Sequence, residues 1–332
     1  MKVWTPEYYH AFRCIASACP DSCCKEWEVD VDDNAAVFYR SLPGALGDAL
    51  RAVLKDTEDG TVMTISDGRC PMWRQDGLCR IQAELGHEAL CQVCREFPRL
   101  RHDYGDFVEY GLELSCPEAA RLILTLPHTM TVADVPGGEM PDYDLDAMDI
   151  LLRSRISAME FLNTTQLPAN HALAVLLLYA HEVQSWLDGG DAAVLDVESC
   201  MNLADKYANA GNWDMVLDFF QSLEILTPQW RGRLSAPLKN AQWHSGYLAL
   251  CKYFVGRYWL QAVSDYDLIC RVKLAVTSCL LIYHLGGDFI ETAQLFSKEI
   301  ENNPDNLEAV LNGAYTSPAL TDIQLLSLLL NG

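Results

Sequence analysis

From residue 144 onwards apolar residues recur at the three-to-four spacing that lays one stripe along a helix. Leu173, Leu176, Leu177 and Ala180 form one such stripe, and Leu274, Thr277, Leu281 and His284 another. The pattern predicts helices near 144–162, 169–188, 191–210, 213–227, 237–260, 265–286, 288–302 and 319–330. Asp265 and Asp288 are the expected N-caps, and the glycine pairs at 189–190 and 286–287 the expected stops. His284, on an apolar face, reads as a core residue. Residues 1–125 have a different texture. Turn signals such as "CPDSCC", "LPGALG" and "SDGRCP" break them into short pieces. "TVMTI" (61–65) and "DFVEYGLELS" (106–115) read as strands, and "ALGDALRAVL" (45–54) and "RIQAELGHEALCQVC" (80–94) have helical spacing. Between the two textures, 126–143 reads as a linker rich in proline and glycine. The expected architecture is mainly α: a small loop-rich module with little β over 1–125, packed on an all-α domain over 144–332. Gly-Asn-Trp and Gly-Asp-Phe turns at 211 and 287 resemble tetratricopeptide turns, but their separation is no multiple of that repeat.

Half of the residues are apolar, enough for a sizeable core, and mean hydropathy is near zero. No apolar run reaches the ~18 residues needed to span a bilayer, and "MKVWTPEYYHAF" lacks the apolar stretch of a secretion signal. The expectation is a cytoplasmic protein. A net charge of −22 repels phosphate backbones and anionic lipid, so neither nucleic acid nor membrane is an expected partner. A cationic substrate would be drawn in.

In a reducing compartment clustered cysteines point to metal or catalysis rather than to disulfides. Of thirteen cysteines, nine fall in the first 116 residues: Cys14, Cys19, Cys23, Cys24, Cys70, Cys79, Cys91, Cys94 and Cys116. A loop-rich segment with little continuous core needs a staple, and thiolate–metal bonds would supply one. Cys91 and Cys94 have the i, i+3 spacing that brings two sulfurs to one ion from a helical turn. Cys23 and Cys24, being adjacent, are expected to point apart. All-sulfur sites suit zinc or iron–sulfur clusters, and the spacing alone leaves both open.

Three blocks, "FRCIASACPDSCCKEWEVDVDD" (12–33), "CPMWRQDGLCRIQAELGHEALCQVCREFPR" (70–99) and "LSCPEAARLIL" (114–124), resemble the flagellin lysine N-methylases and a wider group with a zinc- or iron-chelating cysteine-cluster domain. The resemblance continues at 247–276 and 296–311. It implies methyl transfer from S-adenosylmethionine to lysine ε-amines of flagellin, assisted by a 4Fe–4S cluster, with zinc as the alternative metal. The wider group matches at Cys19, Cys23, Cys24, Cys70, Cys79 and Cys94, and the methylase-like pattern adds Cys14, Cys91 and Cys116. All nine are carried as candidate ligands.

Methylating a lysine requires a neutral amine, so a proton must leave a group of ordinary pKa about 10.4. Candidates for that chemistry near the cysteine blocks are Asp30, Glu109, Tyr110 and Glu118, each of which could equally be a surface charge or, for Glu118, a first-turn helix acid. Trp27 and Trp73 could shield a cluster or stack on adenine, and Arg95 and Arg99 could hold a cofactor carboxylate. Packing and ordinary salt bridges are the competing roles. No G-x-G-x-x-G follows a strand, and "DYDLDAMD" fails as a calcium loop. The rival to the enzyme is a non-catalytic, zinc-stapled helical module that binds a protein; a third reading is an iron–sulfur redox protein.

Overall fold

The computed structural model describes residues 1–25, 29–66, 68–207 and 211–331. Strands β1 (Lys2–Pro6), β5 (Arg99–Asp103), β6 (Phe107–Leu112) and β7 (Met130–Asp134) form one mixed sheet in the order β5-β6-β1-β7. Strand β1 runs parallel to β6, with Trp4 beside Glu109, and antiparallel to β7, with Pro6 beside Met130. The other sheet, β2-β4-β3, is antiparallel and built from Val29–Val31, Gly60–Met63 and Leu54–Thr57.

Helices carry the rest. In the first part they are α1 (Glu7–Ala11), α2 (Asp33–Ser41), α3 (Gly44–Val53), α4 (Arg80–Leu85), α5 (Gln92–Glu96) and α6 (Pro117–Thr125). Then follow α7 (Leu145–Thr164), α8 (Ala169–Leu187), α9 (Val197–Ala204), α10 (Trp213–Gln221), α11 (Pro228–Ser235), α12 (Ser245–Tyr258), α13 (Ile269–Leu285), α14 (Phe289–Phe296), α15 (Pro304–Thr316) and α16 (Asp322–Asn331). Among the described residues no helix is long and apolar enough to cross a membrane.

Two apolar cores organise these elements. The small one gathers Val29, Val31, Tyr39, Leu46, Leu50, Met63, Met72, Ile81 and Leu90 with the thiols Cys70 and Cys91. The large one is centred on α13, which is buried on nearly all sides, as an apolar helix in the middle of a bundle must be. It takes in Tyr8, Phe12, Phe107, Leu112, Leu114 and the apolar face of α6 as well. Strand β6 and helix α6, read by sequence pattern in the first unit, thus contribute to the large core, and β5 is attached by pairing with β6.

Several boundaries differ from the sequence expectation for local physical reasons. The helix read over 80–94 is broken at Gly86, whose φ of 90° only glycine adopts comfortably, so α4 ends and α5 begins anew at Cys91. The expected linker 126–143 contributes β7, which closes the edge of the mixed sheet. Asp288 caps α14 as expected, accepting from the Glu291 N–H at 2.9 Å. Asp265 instead pairs with Arg271, and it is Asp267 that accepts from the Cys270 N–H in the first turn of α13. His284 stacks on Trp213, ring centroids 4.0 Å apart, within the body of the molecule.

After α14 the chain continues through a π-helical turn over Ser297–Glu301. Such a turn inserts an extra residue into the helical ladder and re-aims the side chains beyond it. Here it directs both Glu299 and Glu301 inward.

Candidate functional site

The thiols sort into two groups. Cys23 and Cys24 lie in a turn rather than in regular structure, and their side chains hydrogen-bond to each other instead of pointing apart. The Cys24 thiol also bonds to Cys70, and the Cys70 N–H donates to the Cys24 carbonyl at 2.8 Å, tying the two loops together. At the break after Gly86, Cys91 caps α5 and Cys94 sits one turn on, so that these two thiols bond as well. Cys79 senses the charges of Cys70 and Cys23, and Cys94 those of Cys23 and Cys79. Six sulfurs thus share one neighbourhood. Cys14, Cys19 and Cys116 gather beside α6, linked to the first set through the mutual influence of Cys19 and Cys23.

Proton sharing sets the chemistry of five of the six, all but Cys79. The Cys24 S–H lowers the pKa of both Cys23 and Cys70, and its own rises in return; Cys94 lowers Cys91 in the same way. Burial pushes Cys79 up, and Cys116 to about 12. Thiols poised as thiolate–thiol pairs are the donor type that soft metals select. Among the described residues, however, no group of three or more His, Cys, Asp or Glu side chains could hold a metal ion as placed. The donors suit an all-sulfur centre in kind; their arrangement is not that of a closed site.

The other residues singled out by sequence lie as follows. Trp73 stands beside Cys79, its ring covered by the Arg69 guanidinium at 4.2 Å from the centroid and its indole N–H buried without an acceptor. Trp27 falls outside the described residues. Arg95 lies in α5 near Asp32, and Arg99 in β5 over the Phe12 and Tyr9 rings. Asp30 is exposed in β2, on a groove with Asp32, Asp33, Asp59 and Glu96. Tyr110 packs on the Tyr9 ring and bonds Arg101. Glu109 is buried in a two-pronged ion pair with Arg155, and Glu118 is bound by Arg121 three residues on.

A cavity of about 450 Å³ opens where the thiol region meets the helical body. Lys25, next to Cys24, and Val93, between Cys91 and Cys94, form its thiol-side wall together with Phe97. Leu226, Arg257, Lys298, Glu301 and Asn302 form the opposite wall, and Glu113, just past β6, contributes a carboxylate. Glu301 accepts hydrogen bonds from the Tyr253 hydroxyl at 3.0 Å, the Tyr258 hydroxyl at 2.8 Å and the Arg257 guanidinium at 3.1 Å. Burial works against the Arg257 charge, but the two tyrosines, Glu301 and Glu113 hold it protonated. Glu113 has a weaker claim on that guanidinium. Burial raises its pKa, Arg257 pulls it back, and the Glu301 charge raises it again. On the thiol side Asp21, in the loop between Cys19 and Cys23, accepts from Lys298 at 2.9 Å, Gln294 at 3.2 Å and Lys25 at 3.4 Å.

None of Glu113, Arg257, Lys298, Glu301 and Asp21 was singled out by sequence pattern. Arg257, Lys298 and Glu301 lie within segments 247–276 and 296–311, where the resemblance was noted without a residue being assigned.

Comparison with known proteins now bears on the site. The flagellar biosynthetic protein FliU of Salmonella muenchen is 33% identical over 142 residues, 40% of this chain and 82% of that protein. The chain belongs to the same family as FliU. Two proteins named lysine-N-methylase, from Salmonella choleraesuis (strain SC-B67) and Salmonella typhimurium (strain LT2), are 33% and 32% identical over 142 residues. Those alignments take in 40% of this chain and 35% of each relative, about a third of the length of the two methylases. No family model matches the chain, and neither does any solved structure.

Proposed function

We propose that the chain is a protein-lysine N-methyltransferase that acts on flagellin, with S-adenosylmethionine as methyl donor and the clustered thiols as the seat of an iron–sulfur centre. The observation that carries the reading is a ligand-sized cavity walled by residues from the thiol cluster, in a chain similar to two lysine-N-methylases. Its volume lies within the ~300–1,000 Å³ of small-molecule sites. Its lining mixes the apolar Val93, Phe97 and Leu226 with charged Arg257, Lys298, Glu113 and Glu301, which suits a nucleoside carrying an amino acid.

When bound, S-adenosylmethionine supplies a methyl group on a sulfonium: the acceptor nitrogen gains the carbon as the carbon–sulfur bond breaks, and the electron pair stays on sulfur. The chain's own residues make the nitrogen reactive. A lysine ε-ammonium entering past Val93, Phe97 and Leu226 loses hydration, which lowers its pKa and releases the proton to solvent at the mouth. Glu301 is fixed by Tyr253, Tyr258 and Arg257 and keeps the wall rigid. Cys23, Cys24, Cys70, Cys79, Cys91 and Cys94 would hold the metal centre, whose contribution is to brace the Lys25 and Val93 side of the cavity.

The test is anaerobic purification with iron, zinc and sulfide analysis, followed by incubation with flagellin and a methyl-labelled donor. Label on flagellin lysines is expected. No incorporation by protein whose metal content is intact would overturn the reading, and zinc without iron would favour a structural staple.

A further inference from the structure

We infer that the hollow where α12, α13 and α14 meet is a nucleoside site: it takes a neutral purine base against the rings of His244 and Phe289, with the ring nitrogens toward Asn240, Gln242 and His244. The hollow shares no lining residue with the cavity beside the thiols and is independent of the functional reading above.

The local chain builds it. Helix α13 ends at Gly286, where the backbone turns with a φ of 67° and passes so close to the 236–244 loop that a Cβ on Gly286 would lie 2.4 Å from the Asn240 Oδ1. The Gly287 N–H donates to that oxygen at 2.9 Å, and the Leu238 N–H donates to the Leu285 carbonyl at 2.9 Å, so the loop is laced to the end of α13. Further along the loop Trp243 stacks on Tyr283, ring centroids 4.3 Å apart, and its neighbours Gln242 and His244 line the hollow. The result is a space of about 320 Å³ with an apolar floor and a polar rim. Buried Ile282 and Tyr247 and half-buried Phe289 form the floor; exposed Asn240, Gln242 and His244 form the rim.

The volume is at the lower end of the ~300–1,000 Å³ of small-molecule sites. The His244 and Phe289 rings stand 4.8 Å apart at 81°, and Tyr247 packs against both at 4.9 and 4.7 Å. A planar ligand can lie on the face of one ring and meet the edge of the other, the two arrangements aromatic groups prefer.

The rim selects among planar ligands. Because the Asn240 Oδ1 is occupied, its NH2 group is what remains to donate. His244 Nδ1 accepts from the Gly246 N–H at 3.0 Å, so the neutral ring carries its proton on Nε2, a second donor. Burial lowers the pKa of that ring and favours the neutral form. Gln242 offers a donor and an acceptor on one amide, the pairing that reads the N7 and exocyclic amine of adenine. No charged side chain is among the described residues that line the hollow, so an ionised ligand would lose water without gaining a counter-charge. Adenine supplies ring acceptors for the donors, an amine for Gln242 and a broad flat face for the rings; a pyrimidine offers fewer ring acceptors and a smaller face.

Calorimetry on the full chain compares adenosine with uridine. Adenosine is expected to bind at least about fivefold more tightly, and Gln242→Ala should bring the two nucleosides close to level by removing the paired contact to the base. His244→Asn keeps a capping side chain on α12 and removes a stacking ring, so it should weaken adenosine about tenfold. Circular dichroism checks both folds. Photolabelling with 8-azidoadenosine, read by mass spectrometry, is expected to mark peptides covering 236–247 or 286–291. Failure of wild type to bind adenosine, equal affinity for uridine, or tighter binding of adenosine monophosphate than of adenosine would overturn the proposal. So would unchanged affinity in folded variants, or label confined to the peptides of Val93 and Phe97 in the other cavity.

Discussion

Glu113 is a carboxylate kept at a cost. Burial and the neighbouring Glu301 raise its pKa above that of an unfolded chain, so the folded state binds a proton more readily than the unfolded one. The sign follows: folding stability falls as pH rises from the ordinary carboxylate range through the raised value. Glu113→Gln should therefore melt higher than wild type at neutral pH and lose the advantage in acid, as scanning calorimetry across pH would show; a lower melting temperature at pH 7 would contradict the assignment. His128 works in the opposite sense. Its ring is buried, Nε2 lies 2.8 Å from the Ile123 carbonyl, and burial depresses its pKa to about 4. The unfolded ring binds a proton near pH 6.5, so stability is full above that value and drains away toward pH 4, by up to about 3 kcal/mol for this residue. A His128→Gln variant should show a shallower acid limb in the same titration.

At the scale of elements, the break at Gly86 decides how the thiols meet. A continuous helix from 80 to 94 would carry Cys91 and Cys94 along the axis of α4; the break lets α5 start afresh with Cys91 at its cap. Nothing lies within 4 Å of a Cβ placed on Gly86, so Gly86→Ala is opposed by backbone strain alone, about 1–3 kcal/mol. It should extend helix through 86–90 and raise the reactivity of Cys91 and Cys94 toward a thiol reagent; unchanged reactivity would mean the break does not position them. The same glycine shows why sequence pattern misread this stretch, since apolar spacing runs on across it. Elsewhere legibility followed burial. Helices α7, α8 and α13 were plain because each presents wide apolar faces. Strand β7 is exposed along its whole length, so no alternation marked it. Glu113 and Arg257 were invisible as partners because 144 positions separate them, and the packing of α6 against α12 with the Leu114 N–H bond to the Tyr253 hydroxyl brings them together.

For the whole molecule, two cores imply two melting events. The small core around Tyr39, Leu50 and Met63 is separate from the large one around α13. Leu50→Ala, which empties part of the small core, should lower the first transition by about 2–5 kcal/mol and leave the second in place. Differential scanning calorimetry reads both. A single transition shifted as a unit would show the cores to be one cooperative system. The seam between the cores runs through the first 125 residues: apolar residues of α1, β6 and α6 pack into the large core, and β5, with none in it, is attached by pairing with β6.

That seam makes the thiol-bearing segment a cassette. The chain leaves the large core after Phe12 and rejoins it at Tyr104 and Phe107, where β6 begins beside β1. The two crossing points are therefore neighbours, and the segment between them is tied to the frame again where Gln294 and Lys298 donate to Asp21. Exchanging that segment for a relative's version, with Asp21 kept, is therefore expected to leave the helical content of the frame in place, as circular dichroism of the exchanged chain would show.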